Sequence, residues 1–127
     1  MYFVAVSKPQ MQKNSQNYGT WGEEEAVSYL KARGYQILER NWRFKHLEID
    51  IIAKKAETLV IVEVKSRKND TFGEPAIFVN KRKQKFLISA ANHYVLQKEL
   101  DCEVQFDIIG LTGSEIKHIE YAFYPLA

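Results

Sequence analysis

The chain has 127 residues, 46% apolar and 27% charged, with six Gly and three Pro. That is the length of one domain with a sizeable core, and the ordinary composition excludes collagen-like, coiled-coil and wholly disordered chains. Eighteen basic against 16 acidic residues leave a net charge of +2, too small to indicate a nucleic-acid partner without local clusters.

No apolar run approaches the ~20 residues of a membrane-spanning helix, so no membrane partner is expected. The lone cysteine, Cys102, excludes an internal disulfide and an all-cysteine metal site and fits a reducing, cytoplasmic compartment. The apolar start, Tyr2 to Val6, is short and lacks the basic stretch of a secretory signal. Lys8 to Asn17 is rich in Pro, Gln, Asn, Ser and Lys, a composition that buries little. Residues 1–17 therefore read as a flexible leader, or an arm packing on a neighbour, ahead of a single domain over 18–127.

The first helix is expected from Gly19 or Thr20 to about Arg33. Thr20 and Glu23 have capping-box spacing, Glu23 to Glu25 suit the positive end of the helix dipole, and Gly34 supplies the stop. Three strands follow, at Tyr35–Arg43, Leu47–Lys54 and Thr58–Arg67, the last rich in Val and Ile. Lys68 to Pro75 carries Asn, Asp, Gly and Pro and reads as a loop. A second helix over Asn80–Lys98 shows an apolar stripe at Phe86, Leu87, Ala90, Ala91, Tyr94 and Val95. Strands at Cys102–Leu111 and Glu115–Phe123 complete the chain. The order is helix, three strands, helix, two strands. It predicts an α/β fold with a mixed sheet of about five strands flanked by two helices, the third strand, second helix and fourth strand forming a crossover unit.

Strand alternation puts Glu63 and Lys65 on one face of the third strand, with Leu59 and Ile61. It puts Glu48, Asp50 and Ile52 on one face of the second. If Ala56-Glu57 forms the hairpin loop, Lys55 opposes Thr58 and Asp50 falls opposite Glu63. Directly opposed side chains have Cβ atoms about 4.5–5.5 Å apart, and like charges there are destabilising. Two carboxylates in that position need a cation, a shared proton or free water, and hard divalent ions such as Mg²⁺ or Mn²⁺ suit their oxygens. Lys65 can neutralise part of the cluster, or hold a water or phosphate oxygen beside the ion. Together these groups suffice for phosphodiester hydrolysis. The plainer reading is a solvated strand face, which the Val and Ile on both faces make less natural.

Asp50 followed by Glu63-Val64-Lys65, in this order of elements, resembles the PD-(D/E)XK motif of restriction-endonuclease-like nucleases. The wider set resembles the YraN-like family, a bacterial group similar in outline to archaeal Holliday-junction resolvases. That set is Gly22-Glu23-Glu24, Gly34-Tyr35, Asn41-Trp42-Arg43, Glu48-Ile49-Asp50, Val62-Glu63-Val64-Lys65 with Arg67, Phe72-Gly73, Lys83 and Phe106-Asp107. The resemblance covers about Asn17 to the C-terminus. It implies a metal-dependent endonuclease acting on DNA, branched or junction DNA included, with Asp50 and Glu63 as metal ligands and the Val64 carbonyl as a third. Lys65 would position or activate the water, and Glu23 would be an additional acid near the metal, against its capping-box reading. A resolvase-like activity also implies a homodimer. The family usually carries Gly where this chain has Leu47.

Basic residues supply the substrate hint. Arg43, Arg67 and Lys68, and Lys81 and Lys83 with Arg82 and Lys85 at the start of the second helix, suit phosphate contacts. Lys81 to Lys85 also oppose the helix dipole, so an anion nearby is expected. The alternative to a nuclease is a nucleic-acid-binding module of the same fold with little or no cleavage. His46, His93 and His118 lack metal spacing and read as surface or packing residues; Asp107 reads as structural support; Trp21 and Trp42 read as anchors.

Overall fold

The computed structural model describes residues 2–5, 15–66, 78–113 and 115–125. A short strand, β1 (Tyr2–Ala5), precedes helix α1 (Ser15–Ala32) and strands β2 (Gln36–Phe44), β3 (Leu47–Lys55) and β4 (Thr58–Ser66). Helix α2 (Lys81–Gln97) and strands β5 (Glu103–Leu111) and β6 (Glu115–Phe123) follow. The sheet runs β1-β6-β5-β4-β3-β2. It is mixed, since β4 and β5 are parallel neighbours joined through α2 and the other pairs are antiparallel.

The five expected strands and two helices are all present. The sixth strand comes from the expected leader: Tyr2–Ala5 pairs with His118–Glu115 of β6, and Ser15 to Asn17 belong to α1. Residues 6–14 between them lie outside the described residues, as does the loop expected at Lys68 to Pro75, with Arg67, Lys68, Phe72 and Gly73. The helix starts five positions before Thr20 because Ser15 to Gly19 contains no proline and only one glycine to oppose helical geometry. Thr20 and Glu23 therefore sit inside α1, and the expected capping box is not formed.

Helices cover both faces. Ala26, Val27, Tyr29 and Leu30 of α1 pack on Ile51, Ala53, Val60, Val62, Ile109 and Leu111. Leu87, Ala90, Ala91 and Tyr94 of α2 pack on Ile49, Ile52, Leu59, Ile61, Phe106 and Ile108. The central strands are apolar on both faces for this reason. Gly34 ends α1 at φ 90, with Tyr35 N–H on Leu30 O at 3.0 Å and Gly34 N–H on Lys31 O at 3.0 Å, the paired bonds of a glycine-terminated helix. Asn80 caps α2, its side chain accepting from Lys83 N–H at 2.8 Å.

The β3–β4 hairpin has the expected register, Lys55 opposite Thr58 and continuing to Ile51 opposite Val62. Ala56, at φ 53, turns the chain. In the β2–β3 hairpin Phe44 opposes Leu47 and Lys45 takes the left-handed conformation at φ 57. Leu47 itself is buried in the α2-side core, so the turn conformation falls on the residue two before it.

Candidate functional site

Regular pairing of β3 with β4 stops at Ile51–Val62. By count the next pair is Asp50 and Glu63, and there the ladder gives way to a side chain: Val64 N–H donates to Asp50 Oδ2 at 2.8 Å. Strand alternation is interrupted at the same point. Ile49 and Ile52 both join the α2-side core while Ile51 joins the α1 side, so the expected common face of Glu48, Asp50 and Ile52 is not kept. On β2, Asn41, opposite Asp50 by count, has φ 51. The strands open around Asp50 because a carboxylate, rather than a backbone carbonyl, satisfies the Val64 amide.

Glu63 lies as expected on the face of Leu59 and Ile61, beside Ile108 of β5. Its side chain is 12% exposed, and its Oε2 is 3.6 Å from Lys83 Nζ. Burial, reinforced by the Glu63 charge, pushes Asp50 from its ordinary 3.8 up to about 7; the Val64 hydrogen bond and Lys83 oppose this rise, and the Glu23 charge adds to it. Asp50 is thus within electrostatic reach of β4, α1 and α2 together.

Glu23 enters from α1. Its Oε1 accepts from Asn41 Nδ2 at 2.9 Å and from Arg40 Nη2 at 3.4 Å, while Arg40 also holds Glu24 at 2.6 Å. The approach of α1 depends on Gly22: a Cβ there would stand 1.9 Å from Ser66 Oγ and 3.1 Å from Ser66 Cβ, at the end of β4. The opening between β3 and β4 thereby collects Asp50, Glu63 and Glu23 from three elements.

Lys65 follows Glu63 on β4, and its ammonium donates to the Phe78 carbonyl at 3.1 Å, just before α2. Lys83, expected to meet phosphate, pairs with Glu63 at 3.6 Å. It is also the internal anion contact that the adverse basic first turn of α2 called for. Arg43 pairs with Glu48 across the β2–β3 hairpin at 3.2 Å, with 73% of its side chain exposed. Lys81 is exposed on α2.

Among the described residues no three His, Cys, Asp or Glu side chains form a metal cluster. Asp50 and Glu63 supply two carboxylates. That donor set fits Mg²⁺ or Mn²⁺, which are held by one or two carboxylates and otherwise keep water, and the mutual repulsion that raises Asp50 is what a cation there would relieve.

Two groups were missed from sequence. Asn41 positions Glu23, and only its place opposite Asp50 in β2 could have signalled this. His118, expected at the surface or in packing, is fully buried, and its hydrogen-bond role was the part not read: its Nε2 is 2.8 Å from Asp107 Oδ2 and its Nδ1 is 2.9 Å from the Tyr29 hydroxyl of α1. Asp107, also fully buried, accepts from Gln105 Nε2 at 2.9 Å and Tyr121 N–H at 3.0 Å. The inward alternation of Ile116 and His118 along β6 was the available signal. Trp42 packs edge-on to Tyr94 at 5.2 Å, as an anchor.

The model of the uncharacterised protein family UPF0102 matches residues 22–111. A UPF0102 protein of Christiangramia forsetii is 47% identical over 110 residues, covering 84% of this chain and 92% of the relative. One from Phocaeicola vulgatus is 43% identical over 112 residues, covering 85% and 93%, and one from Clostridioides difficile is 42% identical over 113 residues, covering 87% and 99%. No helix among the described residues is long and apolar enough to cross a membrane.

Proposed function

The chain belongs to the uncharacterised protein family UPF0102, the YraN-like group its motifs resemble, and from that premise we propose that it is a divalent-metal-dependent endonuclease hydrolysing phosphodiester bonds in DNA, with branched or junction DNA as the favoured substrate. The observation that carries this reading is the opening of the β3–β4 ladder. There Asp50, raised to about 7 and held by the Val64 amide, lies next in register to Glu63.

In this reading Asp50 and Glu63 hold the ion, with the Val64 carbonyl as a third donor. The bound Mg²⁺ or Mn²⁺ supplies charge to the phosphoryl oxygens and favours ionisation of a water. Lys65 leaves the Phe78 carbonyl to meet a phosphate oxygen or to orient the water. Lys83 limits the repulsion between the two acids before the ion arrives. Glu23, steadied by Asn41 and Arg40, faces the same opening and accepts a proton or a hydrogen bond from water. The reaction adds water at phosphorus, breaks one P–O ester bond and leaves the proton on the departing oxygen. A four-way junction presents equivalent strands, so two copies of the chain would cut it as a homodimer.

The test is cleavage of linear duplex, single-stranded and four-way-junction DNA with Mg²⁺ or Mn²⁺. Wild-type protein should give products only with the ion, and Asp50→Asn, Glu63→Gln and Lys65→Ala should each lose about a hundredfold or more. Undiminished cleavage by Asp50→Ala would overturn the assignment. Calorimetric titration with Mn²⁺ should show binding by wild type and none by Glu63→Gln. The position of Lys65 on a backbone carbonyl favours the second reading, a DNA-binding module without cleavage; salt-dependent DNA binding with no products and no Mn²⁺ uptake would select it.

A further inference from the structure

On the flank of α2 turned toward the end of β6 lies a cavity of about 320 Å³ whose lining includes Lys81, Lys85, Ile88, Ser89, Asn92 and Tyr124. We propose that it is a pocket for one unpaired nucleotide of a single-stranded DNA segment. This rests on the nuclease reading for its place in the reaction, but the pocket is defined by its own residues.

Lys81, Lys85, Ile88, Ser89 and Asn92 recur at helical spacing and form one stripe along α2. Lys81 and Lys85, one turn apart, form no ion pair among the described residues, so two ammonium groups stand at the mouth without a counter-charge. Lys83 between them points the other way, to Glu63. Tyr124 closes the far side. It is 64% exposed, and it stacks on Tyr121, itself 54% exposed, with centroids 6.1 Å apart and planes at 22°. An exposed tyrosine, backed by a second stacked ring and lining the same cavity as two lysines, is the donor set of a nucleotide: ring face for the base, ammonium for the phosphate. Ile88 supplies an apolar floor, and Ser89 and Asn92 offer hydrogen bonds to the base edge.

The occupant must be unpaired, because bases within a duplex are stacked on one another and offer no free face to Tyr124. Lys81 and Lys83, two positions apart on α2, point to different sides of the helix, so the pocket and the Glu63 contact flank the same first turn. The substrate class is therefore DNA that carries a single-stranded stretch, such as a flap or an opened junction arm, rather than continuous duplex.

The test is fluorescence anisotropy with a short labelled oligothymidylate and a duplex of equal length, in the presence of chelator so that no cleavage occurs. Wild type should bind the single strand more tightly than the duplex. Tyr124→Ala should weaken the single strand by about tenfold, with Tyr124→Phe restoring it. Lys81→Ala/Lys85→Ala should flatten the salt dependence by about 1.4 in slope. Equal binding by wild type and Tyr124→Ala, preference for duplex, or no binding of the single strand would each overturn the pocket. A protein that passes this test yet never cleaves with Mg²⁺ or Mn²⁺ would overturn the nuclease reading alone.

Discussion

Asp50 carries more of this protein's behaviour than any other single side chain. Its carboxyl sits at about 7 in the fold against an ordinary 3.8, raised by burial and then by Glu63. The folded state therefore binds this proton more tightly than the unfolded chain. The stability it contributes is complete below about pH 4 and is lost as pH rises to about 7, a change on the order of a few kcal/mol. In chelator-treated protein Asp50→Asn should remove that decline and be the more stable of the two above neutrality, since the amide oxygen still accepts from Val64 N–H. Urea midpoints across that pH range measure it, and parallel profiles for wild type and variant would contradict it. The acid pair was legible because period-two alternation and a tight hairpin fix register. The broken alternation at Asp50 was not, because it arises from one side chain bonding a neighbouring strand's amide.

At the scale of elements, two contacts fix α1 on the sheet. Gly22 lets the helix approach Ser66 more closely than any side chain would permit. Gly22→Ala should cost about 1–3 kcal/mol through overpacking, and adding Ser66→Ala should recover part of it by removing the nearer atom; thermal melts of the two variants decide. Activity should fall with Gly22→Ala as well, because Glu23 is the next residue along the helix. The second contact is the buried Tyr29–His118–Asp107 chain. Asp107 and the Tyr29 hydroxyl each meet one ring nitrogen of His118, so both nitrogens have a partner. His118→Ala breaks this chain inside the core and should cost about 3 kcal/mol or more, with amide exchange in α1 accelerating before that in β4. Uniform acceleration across the sheet would contradict a local role in seating the helix. A single-residue motif placed the helix end at Gly34 well, because a glycine stop is local chemistry. The capping-box spacing misplaced the start of α1, where a polar stretch carries no stop signal.

For the whole molecule, the sheet has β1 and β2 as its edges. Edge β2 is guarded by charge at Glu39, Arg40, Arg43 and Lys45 and by a bulge between Ile37 and Glu39, features that discourage strand pairing with other chains. At the other end β1 covers β6. Removing residues 1–5 should expose the backbone groups of β6 that now face β1, lowering the melting temperature and promoting self-association, which light scattering would detect. An unchanged monodisperse protein would show that β1 adds nothing to the edge.

The sequence by itself determined the α/β class, the order of helices and strands, the β3–β4 register and the meeting of Asp50 with Glu63. All of these follow from short-range rules: alternation, helical period, caps and turn length. Tertiary structure alone decided that Lys83 serves Glu63, that Asn41 and Arg40 hold Glu23, that His118 is buried against Asp107, and that Tyr124 faces the lysines of α2. Each of those pairs joins different elements, and all but His118–Asp107, on the neighbouring strands β5 and β6, involve a helix. Their partnership depends on strand register and on how two helices seat on opposite faces of a twisted sheet, a geometry that no local pattern of residues encodes.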